Sequence, residues 1–283
     1  YYPKLIHALP FTPVNAPKFL GDQNLFAQIR DDSFDYYQDH NKLTGHHYLF
    51  TTKEENELLK EKGYFIQHTF QYHWENHWSN FDEFLNDLKS RKRKQLIKER
   101  QKVEESPLTI ERKRGRELDE SEKKKIYELY LETIEKKYAL AYLNFDFFDR
   151  LPAYFPEDSH FVLAKENDEI VAMALFFSSE NALYGRYWGI SAAHEQRWPF
   201  LHFELCYYQG MEMCFEKGLS LFEAGAQGEH KLLRGFSPRL TTSAHHLKEE
   251  PFAHAVATHV EQQNAHIQQA ISKLREHLPY KER

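Results

Sequence analysis

The segment Gly225-Ala-Gln-Gly-Glu-His-Lys-Leu-Leu-Arg-Gly235 holds the densest set of reactive side chains in the sequence. Glu229 and His230 are candidate proton acceptors, and Lys231 and Arg234 are cations within the same turn and a half. Gly225, Gln227 and Gly228 precede them in a loop whose glycines let the backbone approach a ligand. A strand ending at Glu223-Ala224 is expected to run into this loop, and a short helix to start near Glu229. Strand ends in α/β sheets open into ligand crevices, and a first helical turn offers N–H groups to an anion or an oxyanion. The chemistry that suits such a set is proton transfer beside a developing negative charge. His230 or Glu229 would take the proton, and the backbone of Gly228 would meet the developing oxyanion. The same residues also satisfy plain capping rules, with Glu at a helix start and Gly at its end.

Other groups lie outside this segment. Lys89, Arg91, Lys92, Arg93, Lys94, Lys98, Arg100 and Lys102 fall on one expected helix. Such a run suits the phosphates of a nucleotide, a tRNA or a lipid carrier, and it also suits a solvated face at a helix C-terminus. Arg186 and Tyr187 lie on an expected strand, and Arg197 in the loop that follows, where the two arginines are candidates to meet a phosphate. His202 and Glu204 open the next helix but, two residues apart, do not share a face. Tyr207, Tyr208, Met211 and Phe215 on that helix read as core. The chain has 17 histidines, yet no H-E-x-x-H and no paired cysteine spacing, so no metal site is expected. His46-His47 and His245-His246 are adjacent pairs, whose side chains diverge on a strand.

The elements that must carry these residues follow from periodicity. Residues 1–20 contain four prolines and read as an extended, packed segment. Helices are expected over 22–38, 54–62, 121–137, 145–151 and 200–217, with one long helix from about 81 to 106 and a C-terminal one over 252–278. Strands are expected over 46–51, 64–74, 108–112, 161–165, 169–178, 182–190, 219–224 and 242–247. The three runs from Phe161 to Ile190 suggest an antiparallel meander, and the helix after it a parallel crossover. The 283 residues are 41% hydrophobic and 15% aromatic, which suffices for one large or two ordinary domains and excludes a disordered chain. A formal charge of -6 argues against general nucleic-acid binding. The longest apolar run, Ile170 to Phe177, falls well short of the roughly 20 residues of a membrane span. On one shared helix Cys206 and Cys214 would lie roughly 12 Å apart along its axis, too far for a disulfide, as suits buried thiols in a reducing cytoplasmic setting. The chain opens on Tyr1 rather than methionine, which leads to the expectation of further sequence upstream.

Four stretches in this order resemble one family. They are Ser90-Arg-Lys-Arg-Lys-Gln-Leu-Ile-Lys-Glu-Arg100, Leu183-Tyr-Gly-Arg-Tyr-Trp-Gly189, Leu201-His-Phe-Glu-Leu-Cys-Tyr-Tyr-Gln-Gly210 and Gly225 to Pro238. The family is the FemAB-like N-acyltransferases, labelled peptidoglycan biosynthesis or recognition proteins, within the GNAT-like superfamily. The resemblance implies an α/β (α+β) fold with mixed sheets flanked by helices, in a tandem arrangement. It suggests a first domain over 1–106, lacking its opening strands and ending in the basic helix. A second domain over 107–250 would hold the site, followed by a C-terminal helix over 251–283. It implies a bacterial-type N-acyltransferase that uses acyl-CoA or aminoacyl-tRNA and a small or lipid-linked amine acceptor from the cell envelope. One departure bears on the donor. CoA-dependent relatives carry a glycine-rich pyrophosphate loop, whereas this chain has Gln196-Arg-Trp-Pro-Phe200 there. Two alternatives stay open: a binding module that has lost catalysis, and a tRNA-dependent Fem-type ligase.

Overall fold

The computed structural model describes residues 2–10, 12–136, 138–225 and 228–281. In chain order the elements are β1 (Lys4–His7), α1 (Phe26–Asp39), β2 (Gly45–Tyr48), α2 (Lys53–Lys60), β3 (Phe65–Glu75), α3 (Phe81–Asp87), α4 (Ser90–Glu104) and β4 (Thr109–Arg114). Then come α5 (Glu120–Lys136), α6 (Phe145–Tyr154), β5 (Ser159–Glu166), β6 (Glu169–Ser178), β7 (Ala182–Ile190), α7 (Leu201–Phe203), α8 (Gln209–Lys217), β8 (Leu221–Glu223), β9 (Ser237–Leu247) and α9 (Glu250–Glu276). Among the described residues no helix is long and apolar enough to cross a membrane.

The chain forms two compact units, residues 1–71 with 238–277, and residues 72–237 with 278–283. These divisions differ from boundaries at 106 and 250. The basic helix α4 lies wholly in the second unit, and α9 belongs with the first. The helix expected from about 81 to 106 is two helices. Leu88 is extended at ψ 148° and bridges to Tyr280, and the Lys89 N–H donates to the Pro279 carbonyl at 2.8 Å. That donor is one of those a helix start leaves unsatisfied, so the returning tail caps α4 at the break.

In the first unit the strands follow the order β1-β2-β9-β3, with β1 and β2 parallel and β2 and β9 antiparallel. Thr52 starts α2 with a capping box, its hydroxyl accepting from Glu55 N–H and the Glu55 carboxylate accepting from Thr52 N–H. Phe19, Tyr48, Leu59, Tyr64 and Ala244 pack as one cluster. The register sets His46 opposite His246 and His47 opposite His245. The divergence of adjacent histidines on β2 and β9 therefore creates cross-strand histidine pairs.

The second unit follows the order β3-β8-β7-β6-β5-β4, where β7 and β8 are parallel and the other pairs antiparallel. This is a mixed sheet flanked by helices, as the element order implies. The strand β6 is buried almost throughout, which explains its unbroken apolar run. One face carries α5 and α6 through Ile126, Leu129, Tyr130, Phe148 and Leu151. Packing is close enough that a Cβ on Gly189 would stand 2.6 Å from the Leu129 carbonyl oxygen. Gly210, whose place inside a helix needs a reason, lies against the Phe222 ring on β8, where a side chain would collide.

Candidate active site

The site begins where β7 and β8 part. They pair only over Ala182–Tyr184 and Leu221–Glu223. The strand β8 then stops, and the chain turns away through Gly225 at φ 85° and Gly228 at φ 115°. Both values lie in the region that favours glycine. Meanwhile β7 continues to Ile190 with β6 on its other side, so beyond Tyr184 it has no pairing with β8 among the described residues. Its register shifts between Leu175 and Phe176, which leaves Arg186 as an extra residue in a bulge at the parting point.

The chain then returns through α7, a π-helical turn at Glu204–Tyr208, and α8. Such wide turns concentrate at functional sites. This one carries Tyr207 and Tyr208 toward the 3₁₀ turn Glu229–Arg234. Tyr207 Oη and His230 Nε2 lie 2.7 Å apart. The His230 ring folds back over Gly228, where a Cβ would meet its Cε1 at 2.5 Å. Burial, then the charges of Arg234 and Lys231, hold the His230 imidazole below its ordinary value, so it is neutral at pH 7. Burial pushes the Tyr207 hydroxyl far up, so it stays protonated.

The cations of the turn are engaged within the protein. Lys231 is 1% exposed, and its Nζ donates to the Gly225 carbonyl at 2.6 Å. Burial pulls its pKa down to about 8. Arg234 pairs with Glu99 of α4 at 2.7 Å, and both side chains are buried. Glu229 is exposed. Gln227 lies outside the described residues.

A cavity of about 900 Å³ runs beside the outer part of β7 and the loop that follows. Trp188, Trp198, Phe200, His202 and Phe203 give it an aromatic wall. His202 and Phe203 also stand 6.0 Å and 5.5 Å, centre to centre, from the His230 ring. The cavity therefore ends one side chain away from the candidate base. Its cations are paired: Lys136 with Glu195, and, in the adjoining loop, Arg197 with Glu166 at 2.8 Å. Phe200 adopts φ 69° and starts the helix without a side-chain cap.

The structure thus brings Gly225, Gly228, His202, His230, Lys231 and Arg234 together. Glu204 instead faces α4, accepting from Arg100 at 3.3 Å. Tyr187 packs with the cluster that holds Tyr130 on the α5 side of the sheet. Arg91, Lys92, Arg93 and Lys94 occupy the first two turns of α4, not its C-terminus. Cations there oppose the helix dipole, so this cluster is not explained by helix stability. Arg100 is no solvated cation, since it bridges Glu204 and Glu212 and lies 4.4 Å from the Phe81 ring centre.

Sequence reasoning missed Tyr207, Glu99 and Glu223. Tyr207 looks like core because an α-helical spacing hides the π turn. Glu223 ends β8, is 5% exposed, and has its pKa raised to about 7 by burial, with the Arg186 charge pulling the other way. His73 Nε2 stands 3.9 Å from it. A pH effect follows. The folded pKa lies above the unfolded value of about 4.3, so the folded state holds more protons between about pH 4 and 7. Stability from this group is present below that window and is lost as pH rises through it. Glu223→Gln should therefore gain up to about 3 kcal/mol relative to wild type between pH 4.5 and 7.5. Denaturant unfolding of both proteins across that range measures the difference, and a constant difference would remove Glu223 as a titrating group.

A sequence profile of the FemAB-like family, described as peptidoglycan biosynthesis/recognition, matches residues 1–282. No curated protein matches in sequence. Solved structures show the same fold. The C-terminal domain of a protein assigned as a lysylphosphatidylglycerol synthetase from Agrobacterium fabrum superposes with a TM-score of 0.59 at 10% identity, over 87% of this chain and 78% of that one. L-PGS from Bacillus licheniformis gives 0.57 at 11%, over 88% and 80%. FemX gives 0.55 at 14%, over 88% and 85%. With the profile spanning nearly every residue, the chain belongs to the FemAB-like family.

Proposed function

We propose that this chain is an N-acyltransferase that moves an acyl or aminoacyl group from an activated ester or thioester to an amine of a cell-envelope precursor. The observation that carries the reading is the parting of β7 and β8, with an aromatic-walled cavity along β7 that ends beside a neutral, hydrogen-bonded imidazole. The donor carbonyl would lie against the backbone of β7, whose N–H groups are the candidate oxyanion donors. The acceptor nitrogen attacks that carbonyl, the C–N bond forms, and the alcohol or thiol leaves. His230 takes the proton that the nitrogen loses and returns it to the leaving group. The family description and a relative named for lysylphosphatidylglycerol synthesis support an envelope precursor as acceptor.

As donor, aminoacyl-tRNA is favoured over acyl-CoA. The cavity loop offers aromatic rings rather than glycines, and Arg197 and Lys136 are already paired. The cations that begin α4, of which Arg93 donates to Asn86 at 3.2 Å, are the candidates for phosphates. Thermal unfolding against acetyl-CoA, a long-chain acyl-CoA, free CoA and aminoacyl-tRNA tests the reading. A ligand at 100 times its Kd adds about 2.7 kcal/mol. A salt-sensitive rise with aminoacyl-tRNA alone supports the tRNA donor, and a rise with acyl-CoA replaces it by CoA. No rise with any donor contradicts the transferase reading.

A further inference from the structure

We propose that Arg234 and Glu99 are positioning residues for His230, acting through the backbone of its turn and not by holding a substrate anion. The proposal rests on the reading of His230 as the reacting group.

The Arg234 guanidinium is bound on several sides. Nη1 donates to the His230 carbonyl at 2.9 Å, Nη2 to Glu99 Oε2 at 2.7 Å, and Nε to Tyr208 Oη at 3.2 Å. Its carbon stands 3.3 Å from the centre of the Phe203 ring, on the wall that the cavity shares with the site. Glu99 is held in turn: Tyr208 donates to Oε2, and Gln95 Nε2 donates to Oε1 at 2.9 Å. Arg234 is 3% exposed, which leaves no open face for a phosphate. A buried ion pair of this kind is weak evidence for stability, because apolar residues of similar volume often serve as well. What apolar residues cannot supply is a planar fork that grips a carbonyl, a carboxylate and a hydroxyl at fixed angles. That fork sets where the His230 backbone lies, and the backbone sets whether the imidazole reaches Tyr207 Oη. The lever runs from the middle of α4 to the turn that carries the base.

The test is an NMR titration of the His230 imidazole in the full chain, with the signal assigned by its loss in His230→Gln. The groups facing His230 are Tyr207 and His202 from the preceding helix, and Lys231 and Arg234 from its own turn. The Arg234 charge lowers the His230 pKa, and Glu99 offsets that charge. Arg234→Gln should therefore raise the pKa, and Glu99→Gln should lower it. Arg234→Lys keeps the charge and loses the fork, so its pKa should stay near wild type while the Tyr207–His230 hydrogen bond is lost. Should Arg234→Gln not fold, the other two variants decide the matter. A Tyr207–His230 hydrogen bond that stays intact in both Glu99→Gln and Arg234→Lys overturns the proposal. The readout needs no turnover, so it is separate from the question of whether His230 is catalytic.

Discussion

Replacing His230 with Gln is expected to lower the rate of transfer at saturating substrate by about 10²- to 10⁴-fold, the usual range for a positioned proton acceptor. Binding of the donor should change little, because the cavity wall is built by other residues. The cost in stability should be small, because His230 is only half-buried and Gln retains a polar tip for Tyr207. The pH profile carries the second half of the expectation. The His230 pKa lies below its ordinary value of about 6.5, so the wild-type rate should fall only as pH drops below that point. The residual activity of the variant should lack this limb. A profile measured on both proteins with one donor and one acceptor checks both parts. Should the variant retain the wild-type rate and limb, the base is elsewhere, with Glu223 next to be tested.

Acid should destabilise the first unit far more steeply than an average domain. His7, His46 and His246 lie on one side of its strands, with His7 Nε2 and His46 Nε2 2.9 Å apart and Tyr64 Oη 2.6 Å from His46 Nδ1. His47 and His245 meet at 2.8 Å between their Nδ1 atoms, and Gln67 holds the far nitrogen of His245. Burial pulls His46 down to about 3, and His47 and His245 to about 4. The folded values lie below the unfolded one of about 6.5, so the unfolded chain binds more protons between about pH 4 and 6.5. The stability held by neutral imidazoles is complete above that window and is lost as pH falls through it. At pH 5 the loss is about 2 kcal/mol for each of the three, or roughly 4–6 kcal/mol with allowance for coupling within the pairs. Domains hold about 5–15 kcal/mol in all, so the unit should be close to unfolding there. Denaturant unfolding at pH 7, 6 and 5 measures this, and His47→Gln should flatten the dependence. An unfolding free energy that is level from pH 7 to 5 would contradict it.

The order of strands and helices after Pro107 was legible because each element carries its own period. Thus β6 reads as one apolar run, and α5 shows Ile126, Leu129 and Tyr130 on one side. The break at Leu88 was not legible, because residues 81–103 keep a helical period across it and the cause is the returning tail at Pro279 and Tyr280. Long-range contacts of this kind leave no mark on local spacing.

The same distinction holds at the site. Gly225, Gly228 and the cluster from Glu229 to Arg234 stand out by density. The roles within it depend on partners far along the chain. Arg234 reads as a phosphate ligand until Glu99, 135 positions earlier, is found against it. Tyr207 reads as core until the π turn brings it to His230. Glu229, which looks equal to its neighbour, is exposed while His230 folds over Gly228. Local sequence marks where chemistry is concentrated, and packing decides which groups are left to do it.

The most direct test of the transfer reading is the mass of the acceptor. Purified protein would be incubated with aminoacyl-tRNA or acyl-CoA and an amine-bearing peptidoglycan or lipid precursor, then quenched and read by mass spectrometry. The account predicts an acceptor heavier by the acyl or aminoacyl group, formed in proportion to enzyme and lost in His230→Gln. A donor that binds and raises the unfolding midpoint while the acceptor mass never changes would contradict it, leaving a FemAB-like protein that recognises without transferring.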